Sequence, residues 1–137
     1  SPAGQHADAL AQLRAMLDAA TRPILDAYPA AERLSWDAKE AEATALLVAA
    51  TPSLELAPLL ARETAVQLAI APEVLTIEQL LAKATTVLAK GATWRALISA
   101  VSGLRQRYEA AIADAEDDTA RRAVLAGAAA EIAGLAG

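Results

Sequence analysis

The side chains best suited to chemistry in this sequence are basic. Arg95, Arg105 and Arg107 follow one another along an alanine-rich stretch, with Arg14 and Lys39 earlier in the chain. A guanidinium offers a rigid fork of donors that matches a carboxylate, so arginines buried on helices can hold a dicarboxylate or a partner's acid. Arg105 falls on an otherwise apolar stripe, where an arginine can also lay its stem on apolar surface and send its head to solvent. Acidic residues gather in two places, Glu32, Asp37, Glu40 and Glu42, and then Asp114, Glu116, Asp117 and Asp118. His6 is the single histidine and there is no cysteine, which leaves no basis for a histidine triad or dyad or a thiolate metal site.

Paired carboxylates do acid–base work only where burial separates two pKa values beside a substrate pocket. Helical spacing with Arg33 and Lys39 nearby makes the first acidic group read instead as solvated ion pairs. The second group lacks the calcium-loop pattern: counted from Asp114, the sixth residue is Thr119 rather than glycine and the twelfth is Leu125 rather than glutamate. These acids read as helix caps. No catalytic, cofactor-binding or metal-binding residue is expected. One loose likeness remains, because Arg14, Lys39 and Arg105 resemble the basic set with which all-helical chorismate mutases hold a dicarboxylate. A small-molecule-binding or chorismate-mutase-like helical enzyme with an Arg/Lys-lined pocket is therefore one alternative.

Tyr28, Trp36, Trp94 and Tyr108 are the only aromatic residues. Each serves either as a core anchor or as a contact point for a partner, where Trp, Tyr and Arg are enriched. Tyr28, Trp36, Trp94, Arg105 and Arg107 form the candidate partner-contact set.

The elements that must position these residues are helices. Leu10, Leu13, Leu17, Ile24 and Tyr28 recur at three- and four-residue steps and predict an amphipathic helix from about Gln5 to Tyr28. Pro23 should kink it or begin a fresh turn, and Pro29 should stop it. Ser35 is placed to cap a helix from about Trp36 to Ala50, with Trp36, Ala43 and Leu47 on one face. Thr51-Pro52-Ser53 breaks the chain, and Pro58 suits the first turn of a short helix reaching about Ala69.

Thr76-x-x-Gln79 is a capping-box pattern. Beyond it, Ile77, Leu80, Ala84, Val87, Gly91, Trp94, Ile98, Val101, Arg105, Tyr108 and Ile112 alternate steps of three and four, a heptad stripe. A continuous helix over that span would be about 55 Å long. Lys90-Gly91 followed by Thr93 is its weak point, but the stripe keeps phase across Gly91 and favours an unbroken helix. A last helix follows from roughly Thr119 to Ala133.

Apolar residues make up 55% and charged residues 21%, a globular balance, while aromatics are 3% and phenylalanine is absent. Packing must rest on Leu, Ile, Val and Ala. The fold expected is all-α, a single helical domain over residues 1–137 built as a bundle of four or five helices with one long heptad-patterned helix. Ser1-Pro2-Ala3-Gly4 reads as a processing or linker remnant. The net charge of −5 and pI near 4.8 argue against nucleic acid, and no apolar run reaches the roughly 20 residues a spanning helix needs.

Four segments carry a family resemblance. They are Ile24-Leu25-x-x-Tyr28-Pro29-x-x-Glu32-Arg33-Leu34-Ser35-Trp36-x-x-Lys39-Glu40-x-Glu42-Ala43, Thr51-Pro52-x-Leu54, Leu80-Leu81-x-Lys83-Ala84, and Gly103-Leu104-Arg105-Gln106-Arg107-Tyr108-Glu109-x-x-Ile112. The chain resembles a small helical domain of tailed-phage and prophage tail-fibre proteins, often described as tail-fibre assembly proteins. The stretch from Thr85 to Ser102, with Trp94 in it, is longer than that family's pattern. The resemblance implies a non-enzymatic protein of the virion tail, or of the bacterial host cytoplasm during assembly. It implies a fibre or baseplate protein as partner and no cofactor, while the heptad stripe can be either an internal bundle seam or a homo-oligomer seam. A generic bacterial helical interaction domain is the remaining alternative.

Overall fold

The computed structural model describes residues 1–28 and 30–135. They form an all-α fold of six helices: α1 (Pro2–Ala27), α2 (Ala30–Leu34), α3 (Trp36–Val48), α4 (Pro58–Leu68), α5 (Ile77–Asp114) and α6 (Asp118–Gly134), with 3-10 turns at Leu54–Leu56 and Pro72–Val74. The helix beyond the expected four or five is α2, a single turn before Ser35. No strand occurs among the described residues.

α1 begins at Pro2 rather than near Gln5, because the Ser1 hydroxyl accepts the Gly4 N–H at 3.1 Å and Pro2 occupies a position whose missing N–H costs nothing. The helix continues through Pro23 to Ala27. Tyr28 is extended, at φ −127° and ψ 97°, as a residue before proline should be. The stop assigned to Pro29 itself falls outside the described residues.

Two compact units emerge, and each has its own core. The first joins residues 1–28 to the chain from Ala96 onward. Ala9, Leu13 and Leu17 of α1 bury with Ile112 of α5 and with Ala128 and Ile132 of α6. The acids after α5 do cap the next helix: Asp117 Oδ1 accepts the Ala120 N–H at 2.8 Å.

The second unit is the intervening chain through Arg95. Its core is Ala43 and Leu46 of α3, Ala57, Leu60 of α4, and Leu80, Ala84 and Val87 of α5. Leu46 takes the buried place expected for Leu47, which is largely exposed. The Thr76–Gln79 box forms as read, with Thr76 N–H donating to Gln79 Oε1 at 2.9 Å and Gln79 N–H to Thr76 Oγ1 at 3.2 Å.

α5 is unbroken across Gly91. Its stripe divides into two sets, with Leu80, Ala84, Val87 and Gly91 buried in one unit, and Ile112 buried with Val101, Leu104 and Tyr108 half-buried around it in the other. Between them Ile98 is exposed, and Arg105 yields its place to Leu104. A straight helix drifts by about 20° per heptad against a 3.5-residue repeat, so no single stripe of this length stays on one face.

α4 ends in a hydrogen-bonded αL closure. Ala69 adopts φ 55° and ψ 43°, its N–H bonds the Val66 carbonyl at 3.1 Å, and the Ile70 N–H reaches the Ala65 carbonyl at 3.0 Å. Alanine bears a steric cost there that glycine avoids. Ala69→Gly is expected to stabilise the protein by about 0.5–1 kcal/mol, read as a raised urea midpoint. A lowered midpoint would contradict this closure.

Candidate functional site

The charges of α3 are the first surprise of the second unit. Spacing made them a solvated face, yet four of them reach other helices. Lys39 Nζ lies 2.7 Å from Glu63 Oε1 on α4, and Lys83 Nζ of α5 lies 3.2 Å from Glu63 Oε2. Glu42 accepts the Leu59 and Leu60 N–H groups at 3.2 and 3.0 Å, capping α4, whose own cap residue Ala57 has no side-chain acceptor. Glu40, whose side chain is only 12% exposed, pairs with Arg95 of α5, and Asp37 stands 3.8 Å from the same arginine.

Partial burial pushes the Glu63 carboxyl up, but the hydrogen bonds from Lys39 and Lys83, aided by their charges, outweigh it and hold the group below the ordinary carboxylate range. A depressed folded-state pKa gives stability that is complete above the unfolded carboxylate's titration and is lost as pH falls through the folded one. Glu63→Gln should therefore lower the urea midpoint at neutral pH, with the gap closing as pH falls through the carboxyl's depressed titration in the folded state. A gap that persists undiminished in acid would contradict the network. Glu42→Gln keeps an acceptor but removes its charge, and is expected to cost about 1 kcal/mol by the same measurement.

Ser35 does not cap α3. Its backbone is helical, at φ −89° and ψ −4°, and its hydroxyl donates to the Glu32 carbonyl at 2.8 Å, closing α2 instead. The corner is held rather by aromatic contact. The Trp36 and Trp94 rings meet in a tilted contact, 5.3 Å between centroids with 53° between planes, so both tryptophans anchor α3 to α5 and are half-buried. Gly91 lies one turn away on α5, and a Cβ built there would fall 2.6 Å from Glu40 Oε1. Glycine at this position lets the glutamate approach the helix backbone.

The remaining candidates lie in the first unit. Arg107 pairs with Glu131 and lies 4.8 Å over the Tyr108 ring, while the Tyr108 hydroxyl donates to Glu131. The Arg107 hydrogen bond, then that of Tyr108, holds the Glu131 carboxyl below its usual range, and the Glu131 bond raises Tyr108. Arg105 is exposed and forms no ion pair among the described residues. Tyr28 is half-buried. Of the basic set for a dicarboxylate pocket, Arg14 faces Glu109 at 3.8 Å and Lys39 is held by Glu63. Arg95 and Arg107 are each paired with an acid of their own, Glu40 and Glu131.

The second unit also carries what sequence spacing did not single out. Large apolar side chains stand exposed at Leu34, Leu47, Val48, Leu56, Leu59, Val66, Leu68 and Val74, and among the described residues only Ile98 adds to them from elsewhere. Leu59 and Val66 are seven residues apart on α4 and share a face with Arg62. That seven-residue spacing was the available signal. Beside this face an apolar groove of about 350 Å³ opens among Leu54, Ala61, Arg62, Val66, Ile70 and Leu75. No group of acidic or histidine side chains that could hold a metal ion occurs among the described residues. Among the described residues, no helix is long and apolar enough to cross a membrane.

No family model, curated protein or solved structure matches the chain.

Proposed function

We propose that this chain is a non-enzymatic, tail-associated phage or prophage protein, a tail-fibre assembly chaperone or structural helical module that acts by protein–protein contact. The observation that carries the contact is the concentration of exposed apolar side chains in the second unit, with Val66 and Val48 each 76% and Leu34 86% exposed. Large apolar side chains left exposed in such numbers within one unit favour an interaction role, whereas isolated ones carry no meaning. The ion pairs of α3 support the same reading, because they fix the helices that display this surface and so limit the ordering cost of binding. The phage setting comes from the resemblance of the Ile24–Ala43 stretch and its three companions.

The partner on this reading is a fibre or baseplate protein. Co-expression with the fibre and baseplate proteins encoded beside its gene, followed by affinity capture, should yield a stable complex with one of them. If none of them co-purifies, the tail-assembly role is lost.

A further inference from the structure

We infer that the groove beside α4 is a docking site for a short apolar segment of a partner protein that carries an acidic side chain. This rests on the reading of the chain as a contact module and specifies what the contact recognises.

The groove is built by the end of α4. Ala61 and Ala65, one turn apart, leave space that larger side chains would fill, and the αL residue Ala69 turns Ile70 back beside them. Pro72 then opens a 3-10 turn in which the Val74 N–H bonds the Ala71 carbonyl at 3.1 Å and the Leu75 N–H bonds the Pro72 carbonyl at 3.2 Å. Two of its walls begin at prolines, Pro58 and Pro72, whose φ is fixed. The cleft is thus formed before any ligand arrives, which spares an occupant the cost of ordering it. Its volume of about 350 Å³ is at the small end of the roughly 300–1,000 Å³ of ligand pockets, so it takes a few side chains rather than a whole helix.

Charge selects the occupant. Arg62 is the one charged residue lining the groove, and it forms no ion pair among the described residues. Lys39 and Lys83 share Glu63, and Arg95 has Glu40. Glu55 and Glu73 flank the groove in sequence on the two 3-10 turns, but neither pairs with Arg62. An apolar cleft with one unspent guanidinium at its rim complements aliphatic side chains next to a carboxylate, which the fork can bind through two parallel bonds.

The test is selection of a displayed random heptapeptide library on the full chain, followed by fluorescence-anisotropy titration of the enriched peptides. Enriched sequences should combine aliphatic residues with Asp or Glu. Arg62→Glu should weaken the best of them at least about tenfold, and Ala61→Leu, which fills the cleft, should do the same. Both variants should keep the wild-type circular dichroism. No enrichment, enrichment without acidic residues, or affinity unmoved by both variants would overturn the inference. If the fibre or baseplate complex survives Arg62→Glu undiminished, the groove fails while the contact reading stands; if no such complex forms with the wild type, that reading fails first.

Discussion

Leu80→Ala is expected to destabilise the protein by about 2–5 kcal/mol, a large share of the roughly 5–15 kcal/mol that holds a typical domain folded. Leu80 is fully buried among Ala43, Leu46, Ala57, Leu60, Ala84 and Val87. With no phenylalanine in the chain and so many alanines around the site, few long side chains are available to swing into the space left behind. The void therefore persists, and its lining forfeits both hydrophobic burial and dispersion contacts. Leu34→Ala serves as the control, because Leu34 is 86% exposed and its loss should change stability by less than about 0.5 kcal/mol. Urea unfolding of both variants checks the contrast. Equal midpoints would mean that Leu80 is not in the core.

Gly91→Leu is the second large effect, and its sign is unusual. Leucine is a better helix former than glycine by roughly 1 kcal/mol, so on an open helix face the change would stabilise. Here the new Cβ would meet the Glu40 carboxylate at 2.6–2.9 Å, and that carboxylate is shielded from solvent and tied to Arg95. Overpacking plus loss of the ion pair should give a net cost of about 1–3 kcal/mol. In a Glu40→Ala background the obstacle is gone, and the same Gly91→Leu change should become neutral or stabilising. A double-mutant cycle by urea unfolding measures that reversal. Stabilisation of equal size in both backgrounds would show that α3 does not approach α5 at Gly91.

These two sites also show what the sequence made legible. Helix identity followed from alanine, the Thr76–Gln79 box, Pro58 and the apolar spacing, because each acts within a few residues of itself. α5 was readable even across Gly91, since phase is a local property of the stripe. The burial along it was not, because Arg105 and Leu104 compete for one face and only packing decides between them. The charges of α3 were misread for a related reason: Lys39 finds Glu63, Glu42 finds the start of α4, and Glu40 finds Arg95, all distant in sequence. Ser35 carried a cap's residue type in a cap's position, but its backbone turned helical and its hydroxyl went to Glu32. Of the candidate contact residues, Trp36 and Trp94 occupy each other, and Arg107 is engaged by Glu131. The exposed apolar face of α4 was not legible, because the spacing of Leu59, Leu60, Thr64, Ala65 and Val66 does not say which of them the core takes, and packing takes Leu60, Thr64 and Ala65.

The central claim is that this face of the second unit makes the functional contact. Its most direct test is the light-scattering mass of the chain with the proposed fibre or baseplate partner, compared between wild type and a Leu59→Asp, Val66→Asp double variant. Both residues are exposed, so the variant should keep its helical circular dichroism and its urea midpoint. With the proposed fibre or baseplate protein as the second component, the account predicts a complex of defined mass for wild type and two separate components for the variant. A variant complex of unchanged mass and affinity would contradict it.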